Sequence, residues 1–192
     1  MKKTLRVFIA IPIPEVVTRF LKDTRTALEP SGMKPRWVRV ENIHLTLKFL
    51  GDIDAAFVDP VAERMDAAVG AHAPFVLIAR GVGGFPNLRS FRVLWIGVDG
   101  DIHRLETLQR DVESGLETLG VGKERRRFHP HLTLARTRQR MDGRRFGLLD
   151  ASWAQHASDA FRVDRICLFA SVLKPGGAEY RRLHTSYLTN SQ

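Results

Sequence analysis

The sequence contains one cysteine, Cys167, among its 192 residues, so no intrachain disulfide can form. Cys167 lies in the apolar stretch Arg165-Ile166-Cys167-Leu168-Phe169. Since free cysteine is commonly buried, we expect a structural thiol rather than a reactive one. A chain with no disulfide and no signal for export is typical of the cytoplasm, where we expect this protein to reside.

Long apolar runs are also missing. No stretch of the sequence approaches the roughly 20 apolar residues that a membrane-spanning helix requires, so we expect no membrane partner. Lysines precede the apolar stretch from Val7 to Ile13, but that stretch is short, is interrupted by Pro12 and Pro14, and has no cleavage site. It therefore predicts a first strand rather than a signal peptide.

Several catalytic signatures are absent as well. The chain has no HExxH motif, no cysteine cluster and no GxSxG motif, which argues against a zinc hydrolase and a serine nucleophile. His129-Pro130-His131 has a spacing that can chelate zinc on a strand, but a third protein ligand is not evident. The glycine-rich residues 81–84 lack the Lys-Ser/Thr helix start of a phosphate loop, so we expect a turn or bulge between strands there. We therefore expect no catalytic metal.

Acidic residues are outnumbered, since 30 lysines and arginines against 21 aspartates and glutamates give a formal net charge of +9. A basic cluster is often no more than a solvated surface. Arginine nevertheless suits a polyanionic substrate, because its planar guanidinium donates two parallel hydrogen bonds to phosphate. The arginines gather on both sides of one segment, at Arg125-Arg126-Arg127, Arg136, Arg138, Arg140, Arg144 and Arg145.

The segment between those clusters contains a phrase that occurs twice. His44-Leu45-Thr46-Leu47 returns unchanged as His131-Leu132-Thr133-Leu134. On a strand, alternate side chains point to opposite faces, so each histidine shares a face with its threonine while the leucines point into a core. Two copies can bring two imidazoles and two hydroxyls to one substrate.

The offset of 87 residues between the two histidines also aligns their surroundings. It places the apolar run at 7–11 on the run at 94–98, and residues 16–21 on residues 103–108. Each half thus reads as a strand, a helix and a His-Leu-Thr-Leu strand. Two copies are too few for a solenoid. The pattern predicts one domain over 1–192, made of two similar lobes that are related by a pseudo-twofold axis and face each other across a cleft.

The remaining patterns predict further elements. Residues 137–147 are polar and basic and contain Gly143, which favours a mobile loop or a frayed helix start over the cleft. Helices are predicted near 14–28, 55–70, 101–119 and 139–150, and strands at 75–78, 161–172 and 180–188.

A pair of histidines can divide acid and base work. A neutral imidazole takes a proton from a nucleophile, and an imidazolium gives one to a leaving oxygen, each contributing on the order of 10²–10⁴ in rate. Threonine hydroxyls can donate to the non-bridging phosphate oxygens between them. Phosphodiester chemistry fits this set, because in-line attack needs base and acid on opposite sides of phosphorus, and a ribose cyclic phosphate is the easiest case.

Taken together, these residues resemble the 2H phosphoesterase superfamily, which is defined by two His-x-Thr/Ser-x motifs. Within it the chain is similar to the RNA 2′,3′-cyclic phosphodiesterases, also called 2′-5′ RNA ligases. The likeness spans almost the whole chain in the expected order. Its phrases are residues 6–11, Trp37-Val38, residues 42–51, residues 84–87, residues 93–98, residues 128–136, Ser171-Val172-Leu173 and Tyr180.

The resemblance implies an α+β fold that is bilobal and duplicated, with antiparallel sheets lining a central cleft and helices outside. It implies metal-independent, cofactor-free hydrolysis of RNA or nucleoside 2′,3′-cyclic phosphate to a 2′-phosphate. Ligation of such an end to a 5′-hydroxyl is the reverse type of reaction on the same residues. We expect a monomer, because no coiled-coil pattern is present.

The resemblance also implies roles for individual residues. His44 and His131 are catalytic, and we expect His44 to be the proton donor and His131 the general base, although the near-symmetry of the motifs leaves these roles interchangeable. Thr46, Thr133 and Arg136 bind phosphate, while Phe49 and Phe128 contact the nucleobase. Phe49 and Arg136 each stand five residues after a histidine, and strict alternation would turn both away from the catalytic face. Either the strands end or twist before that point, or the side chains reach around the edge; a core position is the alternative for Phe49.

A second class of function remains open at this point. A non-catalytic module that binds RNA ends or nucleotides would also use a basic cleft, but it would have no need of a matched acid and base. His72, His103, His156 and His184 lie outside any motif and are expected to be surface or packing residues.

Overall fold

The computed structural model describes residues 4–174 and 177–189. Within them the chain forms strands and α-helices that are joined by loops and 3₁₀ turns. In chain order these are β1 (Thr4–Pro12), α1 (Glu15–Leu28), β2 (Arg36–Trp37), β3 (His44–Asp54), α2 (Val58–Val69), β4 (Phe75–Phe85), β5 (Phe91–Gly100), α3 (Ile102–Glu117), β6 (His131–Met141), α4 (Ser152–Gln155), β7 (Phe161–Val163), β8 (Arg165–Lys174) and β9 (Gly177–Tyr187).

The strands make one curled antiparallel sheet in the order β7-β4-β5-β6-β3-β1-β8-β9, with β2 pairing beside β6. This arrangement confirms the α+β class and the antiparallel sheets. The two His-Leu-Thr-Leu strands, β3 and β6, are neighbours at the centre, where Leu45 pairs with Leu132. The pseudo-twofold relation thus passes between these two leucines, which are 87 residues apart.

Each lobe borrows strands from the other half of the sequence. The first lobe contains β3, β1, β8 and β9, and the second contains β6, β5, β4 and β7. Strand β4 therefore crosses into the second lobe, and β8 returns to pair with β1. This exchange interlocks the two halves of the chain.

Apolar periodicity explains the core. The run from Val7 to Ile11 is buried along its whole length, as expected of a strand that is covered on both faces. Helix α1 begins after Pro14 and buries Val17, Leu21 and Leu28 at helical spacing. Helices α2 and α3 pack on each other on the outside of the sheet, and no helix among the described residues is long and apolar enough to cross a membrane.

Two segments, at 139–150 and at 81–84, differ from their sequence predictions. The helix predicted at 139–150 is wrong, because β6 continues to Met141, paired with Phe91, and a 3₁₀ turn follows at Gly143–Phe146. Gly143 packs too closely for a longer side chain, since a Cβ there would lie 2.5 Å from the Leu88 carbonyl oxygen. A turn or bulge between strands is expected at residues 81–84; the bulge is confirmed at Gly81, where the register between β4 and β5 shifts, but it lies inside β4 rather than between two strands.

Candidate active site

His44 and His131 open the two central strands, each at the first position. Their rings are held in the same way: His44 Nδ1 bonds to the Asn42 carbonyl at 2.8 Å, and His131 Nδ1 bonds to the His129 carbonyl at 2.7 Å. A carbonyl oxygen only accepts, so both Nδ1 atoms carry the proton. Neither Nε2 has a hydrogen-bond partner among the residues that the structure describes, and in the neutral ring this atom holds the free lone pair.

The threonines share the face of their histidines, as the alternation predicts. Leu45 and Leu132 are buried, while Thr46 and Thr133 are half-exposed and line a common cavity. One hydroxyl therefore comes from each repeat. Together they can donate two hydrogen bonds to one oxyanion.

A β-bulge places Phe49 on that same face. In the ladder with β1, Thr46 pairs with Ala10 and Lys48 with Ile9, so the register skips Leu47. A bulge inserts one residue and inverts the alternation beyond it. As a result Lys48 turns inward, and the Phe49 ring is half-exposed and lines the cavity.

A β-bulge also turns Arg136 toward the cavity in the second repeat. Here Thr133 pairs with Trp95 and Ala135 with Leu94, so the register skips Leu134. Ala135 is buried and Arg136 is exposed toward the cavity. Strict alternation is therefore wrong at both positions, and the cause is a bulge rather than the end or twist of a strand.

The cavity has a volume of about 390 Å³ and lies mainly on the first-lobe side of the centre. His131 is not among its lining residues and borders it from the neighbouring strand. The lining includes Arg6, Phe8, Asn42, His44, Thr46, Phe49, Thr133, Arg136, Ser171 and Tyr180.

Aromatic rings pack around each imidazole. Phe8 stacks on His44 with ring centroids 4.5 Å apart, and Tyr180 meets His44 edge-on at 5.2 Å. In the second repeat, Phe85 meets His131 edge-on at 4.9 Å, and Trp95 lies 6.2 Å away. These rings limit how far each imidazole can turn and exclude water from one side of it.

This environment changes the acid strength of both histidines. Burial lowers the pKa of His44 to about 4; the hydrogen bond to Asn42 opposes this, while the charge of Arg136, and that of His131 when it is protonated, act in the same direction as burial. Burial likewise lowers the pKa of His131, and the charges of His129 and Arg136 add to it. Both rings are therefore neutral near pH 7 before a substrate binds.

Arg6 is a site residue to which the sequence reasoning gave no role. Its guanidinium lies over the Phe49 ring, 5.0 Å from the centroid, and both residues line the cavity. A guanidinium stacked on an aromatic ring fixes that ring and places a positive charge beside it. Arg6 opens the phrase at residues 6–11 that contributes to the resemblance, but the sequence gives it no role, because its contact with Phe49 depends on the pairing of β1 with β3.

Lys48, on the face of β3 turned away from the cavity, is another residue to which the sequence gave no role. Its side chain is only 5% exposed and donates from Nζ to Glu113 at 2.5 Å and to the Gly122 carbonyl at 2.7 Å. Burial works to raise the pKa of Glu113, but hydrogen bonds from Lys48 and from the Glu124 N–H hold it below its usual value. This buried pair joins β3 to α3 and to the loop that leads to His131.

Other predicted residues lie elsewhere. Phe128 is half-buried, packs against the hydrophobic core and does not line the cavity. Cys167 is fully buried, as expected. His156 packs against Phe20 and bonds to Thr24 at 2.7 Å, which confirms a packing role.

The other three histidines are also away from the cavity. His72 and His184 pair with Asp111 and Asp66, and His103 is exposed on α3. No group of three or more His, Cys, Asp or Glu that could hold a metal ion occurs in the described part of the chain.

Two arginines of the basic cluster form ion pairs at the surface, whereas Arg136 faces another arginine. Arg126 pairs with Glu124, and Arg144 with Asp142, each at the surface. Arg36 on β2 stands directly opposite Arg136 on β6. Like charges in that position repel each other, so a bound anion between them is favourable.

The geometry agrees with the comparisons with known proteins. The model of the family "LigT like Phosphoesterase" matches the chain twice, over residues 11–95 and 96–180, which corresponds to the two repeats. The RNA 2′,3′-cyclic phosphodiesterase of Thermotoga maritima is 31% identical over 186 residues, covering 94% of both chains. That of Aquifex aeolicus is 30% identical over 191 residues, covering 97% of this chain and 98% of the relative.

Solved structures give the same result. A protein of Thermus thermophilus superimposes with a TM-score of 0.79 at 26% identity, covering 96% of this chain and 98% of the other. Escherichia coli LigT, solved in complex with 3′-AMP, superimposes with a TM-score of 0.76 at 26% identity, covering 98% of this chain and all of the other. The paired His-Thr strands, the double match and these full-length similarities show that the chain belongs to the LigT-like family of 2H phosphoesterases.

Proposed function

We propose that this protein hydrolyses RNA or nucleoside 2′,3′-cyclic phosphate to the 2′-phosphate by two-histidine acid–base catalysis without a metal. The observation that carries the proposal is the matched pair of imidazoles on neighbouring strands. Each has its Nδ1 bound to a carbonyl and its Nε2 unpaired among the described residues. The names of the relatives from Thermotoga and Aquifex support the same substrate class.

Phosphate binding follows from the groups between the histidines. Thr46 and Thr133 supply hydroxyl donors, and Arg136 supplies a positive charge in the same cavity. A phosphorane-like transition state carries extra negative charge on its non-bridging oxygens. Fixed donors stabilise that charge without reorganisation, so the transition state gains more than the ground state.

The two sides of the cavity favour different roles for the two histidines. For a 2′-phosphate product, the bond to O3′ breaks, and O3′ remains on the nucleoside. His44 lines the cavity together with Phe49, whose exposed ring suits a nucleobase, and this supports assigning to His44 the protonation of O3′. His131 lies beyond that lining, and we assign to it the removal of the proton from an attacking water. In-line attack then runs from the His131 side to the His44 side.

Substrate binding favours the protonation that His44 needs in order to act as an acid, with the proton taken from solvent. His44 is neutral in the free protein because its pKa is lowered to about 4. A bound phosphate anion offsets the charge of Arg136 and adds negative charge beside both rings, which raises their pKa values. The more buried His44 gains most, since charges interact more strongly where the dielectric is low.

The cleft is complete within one chain, which supports action as a monomer. We place the protein in the cytoplasm on the sequence grounds given above. Joining a 2′,3′-cyclic end to a 5′-hydroxyl uses the same acid and base, with the 5′-hydroxyl in place of water as the nucleophile. The same site therefore also permits ligation.

The decisive experiment incubates the protein with an oligonucleotide ending in a 2′,3′-cyclic phosphate, with and without EDTA, and identifies the position of the product's phosphate. We expect a 2′-phosphate at an unchanged rate in EDTA. His44→Ala and His131→Ala should each lower kcat by roughly 10²–10⁴. His103→Ala, at an exposed histidine outside the cleft, is the control.

A 3′-phosphate product, a rate that EDTA abolishes, or near wild-type turnover in both histidine variants would each contradict the proposal. Salt-sensitive RNA binding without turnover of a cyclic phosphate would instead favour the non-catalytic binding module.

A further inference from the structure

A second hollow of about 320 Å³ lies beside His131, on the side away from the main cavity. It is lined by Arg80, Trp95, Gly97 and His129, among others. Trp95 pairs with Thr133 in the sheet, and Gly97 pairs with His131. Directly paired residues share a face, so the hollow opens on the same face as the catalytic groups.

The hollow is the pseudo-twofold counterpart of the wall around His44. The offset of 87 residues relates residues that line the main cavity to residues that line the hollow. These pairs are Phe8 with Trp95, Asn42 with His129, and Ile43 with Pro130. The main cavity and the hollow therefore border the two catalytic histidines in equivalent ways.

Trp95 forms a rigid aromatic floor for the hollow. Its indole lies flat on the backbone of Gly83, where a Cβ would come within 2.0 Å of the ring. His129 is exposed and stands edge-on to the indole, with ring centroids 4.9 Å apart. The indole N–H is buried and has no acceptor among the described residues, so packing alone does not account for a tryptophan here.

The charges around the hollow are balanced, unlike those of the main cavity. Arg80 pairs with Asp99 at 2.9 Å, and both line the hollow. The main cavity instead presents Arg6 and Arg136, which are available to a phosphate. The hollow thus suits the neutral base and ribose of a nucleoside that carries a free 5′-hydroxyl.

We propose that this hollow binds the nucleoside whose 5′-hydroxyl takes the place of water in attack on the cyclic phosphate. The inference rests on the proposed function and names the second substrate of the same site. In the joining step the 5′-oxygen bonds to phosphorus, and its proton goes to His131. The bond from phosphorus to O3′ breaks, and O3′ takes a proton from His44, which leaves a 2′-5′ phosphodiester. The reverse step releases the 5′-hydroxyl nucleoside from a 2′-5′ linkage.

The test compares two substrates in the same preparations. Adenosine 2′,3′-cyclic phosphate fills the main cavity alone, whereas 2′-5′-linked adenylyl-adenosine fills both positions and releases adenosine. The readout is the ratio of kcat/KM for adenosine release to kcat/KM for cyclic phosphate hydrolysis. We expect Trp95→Leu to lower this ratio by about tenfold or more, the effect of losing one base–aromatic stack. Trp95→Phe retains a ring and should lower it by less than about threefold.

His129→Ala provides a second variant that does not depend on the indole. The His129 side chain is exposed, and its carbonyl, which holds His131, is retained. We expect it to lower the ratio as well, while Tyr187→Ala, which removes an exposed aromatic ring on β9, leaves the ratio unchanged. Ratios that stay within about twofold of wild type in both Trp95→Leu and His129→Ala would overturn the inference.

Measurements on the wild-type protein distinguish a failure of the proposed subsite from a failure of the proposed function. If it hydrolyses the cyclic phosphate but releases no adenosine from the 2′-5′ dinucleotide, the proposed subsite is wrong and the proposed function stands. If it turns over neither substrate, the proposed function fails, and the subsite fails with it.

Discussion

Leu45 lies directly opposite Leu132, and this pair is the point at which the two lobes meet in the sheet. The two leucines are equivalent residues of the repeat, 87 positions apart, and both are fully buried. Each is flanked on its own strand by a histidine and a threonine of the site. The packing of one apolar pair therefore sets the spacing between His44 and His131.

Truncating this pair tests that relationship. Leu45→Ala and Leu132→Ala should each lower the free energy of unfolding by about 2–5 kcal/mol, because each leaves a cavity at a fully buried position. The double variant should show a coupling energy of about 0.5–3 kcal/mol, because each single truncation already removes the contact between the two side chains. Urea unfolding of the four proteins measures it, and strictly additive effects would show that the leucines do not act as a contact.

Arg136 should set the pH range of the reaction. Its charge lowers the pKa of both His44 and His131. Arg136→Gln removes that charge, so both pKa values rise, and the alkaline limb of the kcat/KM profile, which reports the free enzyme, should move to higher pH. Arg138→Gln removes an equal charge from the same strand and is the control. An alkaline limb that stays in place would show that Arg136 acts on phosphate alone.

Lys48 should stabilise the fold by compensating the charge of its partner, Glu113. Lys48→Met leaves Glu113 as an uncompensated charge at a largely buried site, and we expect a loss of about 3–5 kcal/mol in the free energy of unfolding. Adding Glu113→Gln to the same chain should recover most of it. Chemical denaturation of the single and double variants decides this, and a double variant no more stable than the single one would contradict the pairing.

His44 should make the protein less stable in acid. The unfolded chain binds its proton near pH 6.5, whereas the folded state resists protonation until about pH 4. The contribution is therefore fully present above pH 6.5 and is lost as the pH falls from 6.5 toward 4, by at most about 3 kcal/mol. Comparing wild type with His44→Gln at about pH 7.5 and about pH 4.5 isolates it. An equal difference between the two proteins at both pH values would count against a buried, neutral imidazole.

The sequence predicted the site better than its surroundings. His44, Thr46, His131 and Thr133 come together as the alternation of the repeated phrase requires, because short-range periodicity determines which side chains share a face. The helices at 14–28, 55–70 and 101–119 are confirmed because each has an apolar stripe facing the sheet.

The predictions that were wrong depended on contacts between strands that are distant in the sequence. The bulges that turn Phe49 and Arg136 toward the cavity arise from register, and register is set by the partner strand rather than by the residues of the bulge. The two ladders also differ by two residues, since Ala10 faces Thr46 whereas Gly97, its equivalent, faces His131. The exchange of β4 and β8 between the lobes likewise has no signal in the local sequence.

The paired bulges have a consequence for how such a cleft acquires specificity. They bring the same structural position of each repeat to the site, and that position holds Phe49 in one half and Arg136 in the other. A symmetric dimer of one repeat would carry the same residue at both places and would meet a ligand with two identical ends. Fusion of both copies into one chain lets them diverge independently. A nearly symmetric scaffold can thereby recognise a nucleotide, which is aromatic at one end and anionic at the other.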